Sequence, residues 1–360
     1  MSAAIAAALV LAVAACSGSS TAATGSSGGG NTSSCTNGSQ ASNVAALPGI
    51  QVCLLISATT NANHPDSVVY AGGHIWIGWQ NITAKDGTDN KHSTIGEYTT
   101  AGKLVKSWTV GGGTASGTGC HTDGMRMDPA TNTLWVMCNE DGSPRLFTIN
   151  PSSTTATQIT LPKTPHGGGF DDIQFVNGTA FIDASNPTLN SAGANVYPAL
   201  YTVTLSGTTA KLTPVLNGGA TVTTLNPPIG KTTAPLTDPD SMMIDPQTGD
   251  LVLDSQGDMQ LLFIHNPGTA GQTVKELSVG TPVDDTVWPT SANGCFIIAD
   301  NASGVYSACS SFWVTSTPLT GAPNDSTIIS FVGTLSLGTG LITPIIVGMN
   351  NPHGMAFIPK

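Results

Sequence analysis

From about residue 50 to the C-terminus, apolar residues come in runs of four to eight, broken at close intervals by Gly, Pro, Asn and Asp. Short runs bounded by turn formers are the pattern of strands and hairpins rather than helices. The pattern also restarts from one phrase. An acidic residue, or once a histidine, is followed two and usually four positions later by apolar residues, then by a turn and a second run. The copies are Asp66-Ser-Val-Val-Tyr, Asp123-Gly-Met-Arg-Met, Asp171-Asp-Ile-Gln-Phe, Asp240-Ser-Met-Met-Ile, Asp285-Thr-Val-Trp-Pro and His353-Gly-Met-Ala-Phe. A phrase that returns at intervals of 45 to 69 residues marks a repeat architecture.

Within the first unit the alternation predicts strands at 67–70, 74–79, 93–98 and 103–110, and within the second at 125–127, 134–137, 145–149 and 155–161. Four antiparallel strands per unit around an axis make a β-propeller, all-β, here with six four-stranded blades and with five or seven left open. The longer units carry insertions of loop-like composition at 186–196, 217–237 and 310–325. After His353 there is chain for one strand only, and residues 51–57 are the expected partner from the other end, which still leaves that blade short.

The phrases Asp123-Gly-Met-Arg-Met-Asp-Pro-Ala-Thr-Asn-Thr-Leu-Trp-Val and Asp240-Ser-Met-Met-Ile-Asp-Pro-Gln-Thr-Gly-Asp-Leu-Val-Leu resemble the blade motif of NHL-repeat proteins. They also resemble the gluconolactonase and senescence-marker group of six-bladed propellers. The likeness runs through about 290 residues, but its motifs are generic to such propellers.

In a propeller the start of each innermost strand lies at the mouth of the central channel. Asp66, Asp123, Asp171, Asp240, Asp285 and His353 are therefore expected to face one another there as candidate metal ligands, with the register at 284/285 open by one. Asp172 and Asp284 stand beside them. Two positions earlier come His64, His121, Asp238 and Asn351, which in an extended segment project to the same side and are candidate ligand-binding groups. Carboxylates crowded into one funnel repel, so that either protons or a cation must compensate them. Oxygen donors suit calcium, the first expectation, or magnesium; the histidines leave room for zinc. The competing reading is structural, because an Asp at a strand start is also a common turn device. His74, His92, His166 and His265 lie outside this layer, and only His166, in a glycine-rich loop, is placed to reach the funnel. Trp76, Trp135 and Trp288 are expected to pack between blades.

Composition narrows the partners. Charged residues make up 9% of the chain, the net charge is −11, and Arg126 and Arg145 are the only arginines. Such a chain cannot neutralise a run of phosphates, so nucleic acid is excluded as a partner. A nucleotide or quinone cofactor is not indicated either: Gly25 to Gly29 lies in a linker-like stretch, and Gly230-Lys-Thr lacks both the first glycine and the helix of a phosphate loop. The N-terminus is apolar from Ala3 to Ala15 and ends in Val-Ala-Ala-Cys16, which resembles a bacterial lipobox without the usual preceding base. This predicts a signal peptide over 1–15, lipidation at Cys16, a Ser/Gly/Thr-rich tether over 16–45 and the propeller over 46–360. Ordinary secretion is the alternative.

Six further cysteines allow 15 pairings. Symmetry about predicted turns favours Cys295 with Cys309 and Cys120 with Cys138, leaving Cys35 with Cys53 to tie down the N-terminal segment. The expectation from the whole is a monomeric, envelope-anchored or secreted propeller that binds a small molecule or protein at its channel face. The alternative is the metal-dependent lactonase or esterase that the gluconolactonase resemblance implies, with a channel cation as electrophile. That group holds its metal with Glu, Asn and Asp, whereas the ring here offers Asp and His, with Asn only at Asn351.

Overall fold

The structure is a computed structural model that describes residues 35–115, 117–323 and 329–360. Expectations for the signal peptide, Cys16 and most of the tether fall outside these residues. The described chain forms six antiparallel-dominated sheets and a single 3-10 turn, Gln256–Asp258, and among the described residues no helix is long and apolar enough to cross a membrane.

Blade 1 is built in simple order from Pro65–Ala71, His74–Trp79, His92–Thr99 and Leu104–Gly111. Blade 2 follows with Thr122–Asp128, Thr133–Cys138, Arg145–Ile149 and Thr157–Ile159, and blade 3 with Ile173–Val176, Thr179–Asp183, Pro198–Ser206 and Thr209–Asn217. Blade 4 has Pro239–Ile244, Leu251–Ser255, Gln260–His265 and Thr273–Ser278, extended outward by Ala220–Thr224 and Lys231–Ala234. Those two strands correct the loop expected over 217–237. Their runs of Thr and Val carry strand propensity without large apolar residues, which is why composition alone reads as loop.

The last two blades share a connection that the repeat does not reveal. Blade 5 begins with Thr286–Val287 but continues only at Leu319–Ala322, followed by Phe331–Leu335, Ile342–Val347 and the edge strand Ala45–Ala46. The intervening hairpin, Gly294–Asp300 and Gly304–Ser310, crosses into blade 6, where it lies between the C-terminal strand Pro352–Pro359 and the N-terminal strands Gln51–Ser57 and Ser39–Gln40. The strand shortage of the sixth unit is thereby resolved. It follows that the insertion expected over 310–325 is partly a blade strand, and that residues 39–40 and 45 of the expected tether pair as sheet edges.

The innermost strands touch in a closed ring, from blade 1 through blade 6 and back to blade 1. Register shifts interrupt the ladder at the start of these strands in blades 1, 2 and 4, between Pro65 and Val68, Thr122 and Met125, and Pro239 and Met242. The freed amides bond to the neighbouring blade instead: Gly124 N–H donates to Asp171 O at 3.0 Å and Met125 N–H to Ser67 Oγ at 3.1 Å. Where blades approach most closely the phrase carries glycine, since a Cβ on Gly124 would lie 2.2 Å from Asp172 Cα and one on Gly354 2.2 Å from Asp66 O. Between blades the core is apolar and aromatic: Trp76 and Trp108 of blade 1 stack at 5.4 Å in a cluster with Met125, Leu134 and Phe147 of blade 2, and Trp135 of blade 2 is edge-on to Phe175 of blade 3 at 5.3 Å. Three disulfides, Cys35–Cys53, Cys120–Cys138 and Cys295–Cys309, are present in the pairing that strand symmetry favours.

Candidate functional site

The starts of the inner strands enclose an axial cavity of about 370 Å³. Asp66, Asp123, Asp171, Asp240, Asp284 and His353 line it, together with His64, His121 and Asn351. Asp285 does not. Its Oδ2 accepts Met355 N–H from the inner strand of blade 6 at 2.7 Å, and with only Thr286–Val287 in the strand it is Asp284 that opens onto the cavity. Asp172 also departs from expectation, because it lies beneath the ring, where Oδ2 accepts Arg126 Nη2 at 2.6 Å and Met242 N–H at 2.9 Å. Asp238 is not a lining residue, although burial and the nearby Glu140 push its carboxyl up to about 6.

Antiparallel pairing brings the end of each second strand beside the start of the first. From these ends come Gln80, Glu140, Gln256 and Asn301, and from the loop after Trp79 come Thr83 and Lys85. Reading only the repeated phrase misses all of them. The signal available was a polar residue directly after an apolar second strand, as in Trp79-Gln80 and Cys138-Asn139-Glu140.

The cavity wall divides into two chemically distinct groups. On one side His353 Nδ1 lies 3.0 Å from Asp66 Oδ1 and 2.8 Å from Asp284 Oδ2. Burial opposes a charge on this ring, but Asp284 and Asp66 outweigh it and hold His353 protonated, well above the usual histidine range. On the other side stand His121, Asp123 and Glu140, whose potential donor atoms lie within 4.8 Å of one another. Glu140 also pairs with Lys85.

The second group is locked in place by its surroundings. Asn139 N–H donates to the His121 carbonyl oxygen, Asn139 Oδ1 accepts His121 N–H, and the Cys120–Cys138 bridge sits one residue before each. Asn139 adopts φ 73°, a left-handed turn that redirects the chain at Glu140. His121 Nδ1 lies 2.9 Å from the Thr83 carbonyl oxygen and 3.0 Å from Thr83 Oγ1; the carbonyl can only accept, so the tautomer that satisfies it carries the proton on Nδ1 and presents the Nε2 lone pair. That Nε2 is 3.7 Å from Asp123 Oδ1 and, like Asp123 Oδ2, is buried with no hydrogen-bond partner. Burial keeps His121 neutral.

Burial and crowding favour the protonated form of several acids in the ring. Burial raises the carboxyls of Asp123, Asp171 and Asp240 well above their ordinary value, reinforced by Glu140 at Asp123, by Asp240 at Asp171 and by Asp284 at Asp240. Two cations, Lys85 and protonated His353, balance much of the remainder. His166 does not reach the cavity. It is fully buried, edge-on to Phe170 at 5.3 Å. His74 and His265 form ion pairs with Glu97 and Asp250, outside the layer as expected.

Fold and site together define a six-bladed β-propeller with a polar, acid-rich axial cavity. No protein-family model matches the chain, and no curated protein matches its sequence. Solved structures align along most of its length. One is a protein of unknown function from Bacteroides caccae, with 9% identity over 87% of this chain and 88% of that one and a TM-score of 0.46. Another is the periplasmic gluconolactonase of Pseudomonas aeruginosa, with 9% identity over 82% of this chain and 88% of that one and a TM-score of 0.46. A member of the DUF4221 family from Bacteroides vulgatus aligns with 11% identity over 88% and 87% of the two chains and a TM-score of 0.43. Likeness at this level transfers no residue role or activity.

Proposed function

We propose that the protein is an extracytoplasmic binding propeller whose axial cavity holds a divalent cation between His121, Asp123 and Glu140 and takes a small hydroxylated molecule beside it. The observation that carries the reading is the pair of orphaned atoms, His121 Nε2 and Asp123 Oδ2, buried within one cluster of donors. A buried polar atom without a partner costs about 1–3 kcal/mol, and one cation coordinated by both would remove two such costs. The fixed Nδ1–H···O=C bond from His121 to Thr83 is the outer-shell contact that orients a metal-ligating imidazole. One imidazole with two carboxylates suits zinc or a similar ion better than calcium, which takes six to eight oxygens. Asp123 must lose its proton to bind, so affinity should fall in acid.

Around this cluster the wall offers amides and imidazole at Gln80, Gln256, Asn301, Asn351 and His64, and a volume of about 370 Å³ suits a small polar ligand. Three disulfides fit an oxidising, extracytoplasmic compartment. The hydrolase alternative gains no support of its own, because a propeller fold does not bring an activity with it.

The test is metal analysis of the purified protein, followed by calorimetric titration of chelator-stripped protein with Zn²⁺ and with Ca²⁺. One equivalent of ion is expected, lost in His121→Ala and weakened in Glu140→Gln, with Asp128→Ala unchanged. Absence of copurifying metal together with no heat from either ion at millimolar concentration, or binding indifferent to His121→Ala, would refute the cation.

A further inference from the structure

The inner strands run from one mouth of the channel to the other, and their far ends enclose a second chamber. Residues 71–72, 129 and 132, 246, 290 and 357 lie at its wall, whereas the starts of the same strands line the acidic cavity. The far chamber measures about 550 Å³, within the range of small-molecule sites. Its chemistry is the opposite of the first. Tyr70, Met127, Phe175, Met243, Trp288 and Phe357 make it apolar and aromatic, and among the described residues no carboxylate lines it. Met127, Met243 and Met355 come from alternate blades 2, 4 and 6, and unbranched thioethers adapt to ligands of varied outline.

Among the described residues the one charged group in this wall is Arg126, which does not line the acidic cavity. Three bonds anchor it: Nε donates to Ile173 O at 2.9 Å, and Nη2 donates to Asp172 Oδ2 at 2.6 Å and to Met242 O at 2.7 Å. Nη1 makes no hydrogen bond among the described residues and is not a buried orphan, and the side chain keeps 13% exposure. The guanidinium is therefore held rigidly at the floor between the chambers and shows its free edge to the apolar one.

We propose that the far chamber is a second binding site, for a small aromatic carboxylate whose ring packs among Phe175, Trp288 and the methionines and whose carboxylate meets Arg126 Nη1. Here a rigid N–H donor stands at the end of an apolar pocket with no carboxylate among its described lining residues, on a chain of net charge −11, so an organic anion meets the guanidinium and no like charge on that wall.

Calorimetric titration with 2-naphthoate, and with its neutral relative 2-naphthylmethanol, tests this on the full protein. One-to-one saturable binding of 2-naphthoate is expected, with the neutral probe at least about tenfold weaker. Met127→Trp fills the chamber and should abolish binding. Thr290→Trp, at the exposed rim, should do the same by obstruction and serves if Met127→Trp does not fold. His121→Ala should bind 2-naphthoate as the parent does, which separates this site from the axial one. No saturable binding, equal affinity for the two probes, or binding untouched by both tryptophan variants would overturn the proposal.

Discussion

At the scale of single residues, the molecule is marked by buried polar atoms that the fold leaves without partners. His166 is the clearest case outside the axial cavity, since both ring nitrogens are buried and unbonded. Burial pushes its pKa from 6.5 down to about 4. Between those values the unfolded chain takes up a proton that the folded chain refuses, so stability should fall as the pH drops from about 6.5 to about 4 and level off below that. The loss is at most ~3 kcal/mol for this group. His166→Phe should remove that part of the slope in denaturation measured across the range, and an unchanged slope would show that His166 is solvated or bonded in solution. Residue chemistry was only partly legible beforehand. The Asp and His of the repeated phrase could be placed at the mouth because strand starts are periodic. Lys85 and Glu140 could not, because they sit in loops whose direction is set by local turns such as the left-handed Asn139 and not by any period.

Among elements, the inner strands explain why the phrase has the form it has. Its first position serves the cavity, but its second serves packing: glycine at 124 and 354, where neighbouring backbone lies 2.2 Å from a would-be Cβ, and serine at 67 and 241. Gly124→Ala meets backbone that cannot swing aside, so it should cost about 1–3 kcal/mol, whereas Ser241→Ala should stay within ~1 kcal/mol. Chemical denaturation of the two variants compares them directly, and equal effects would mean that the blades are not in such close contact. Strand positions in blades 1 and 2 were legible to within a few residues, because alternation and turns agree there. The assignment of strands to blades 5 and 6 was not. The hairpin at 294–310 has the same local pattern wherever it docks, and only the pairing of Gly294–Asp300 with the C-terminal strand decides its sheet.

For the whole molecule, blade 6 holds the ring shut with segments from both ends of the chain and from the middle of blade 5. Its innermost strand, Pro352–Pro359, covers Phe296 and Ile298 with Met355 and Phe357, all buried. Deleting residues 352–360 should therefore remove cooperative thermal unfolding altogether instead of lowering its midpoint slightly. A truncated chain that still melts in one sharp transition would show that the ring closes without this strand.

That closure has a consequence for the order of events in time. Gln51–Ser57 precedes blades 1 to 4 along the chain, yet its partner Gly304–Ser310 follows them, and the sheet is complete only when Pro352–Pro359 has joined it. Until then blades 1 and 5 present open flanks, and pairing across so long a separation is slow. The folding chain is therefore most exposed to aggregation when blades 1 to 4 have formed and the sheet of blade 6 has not.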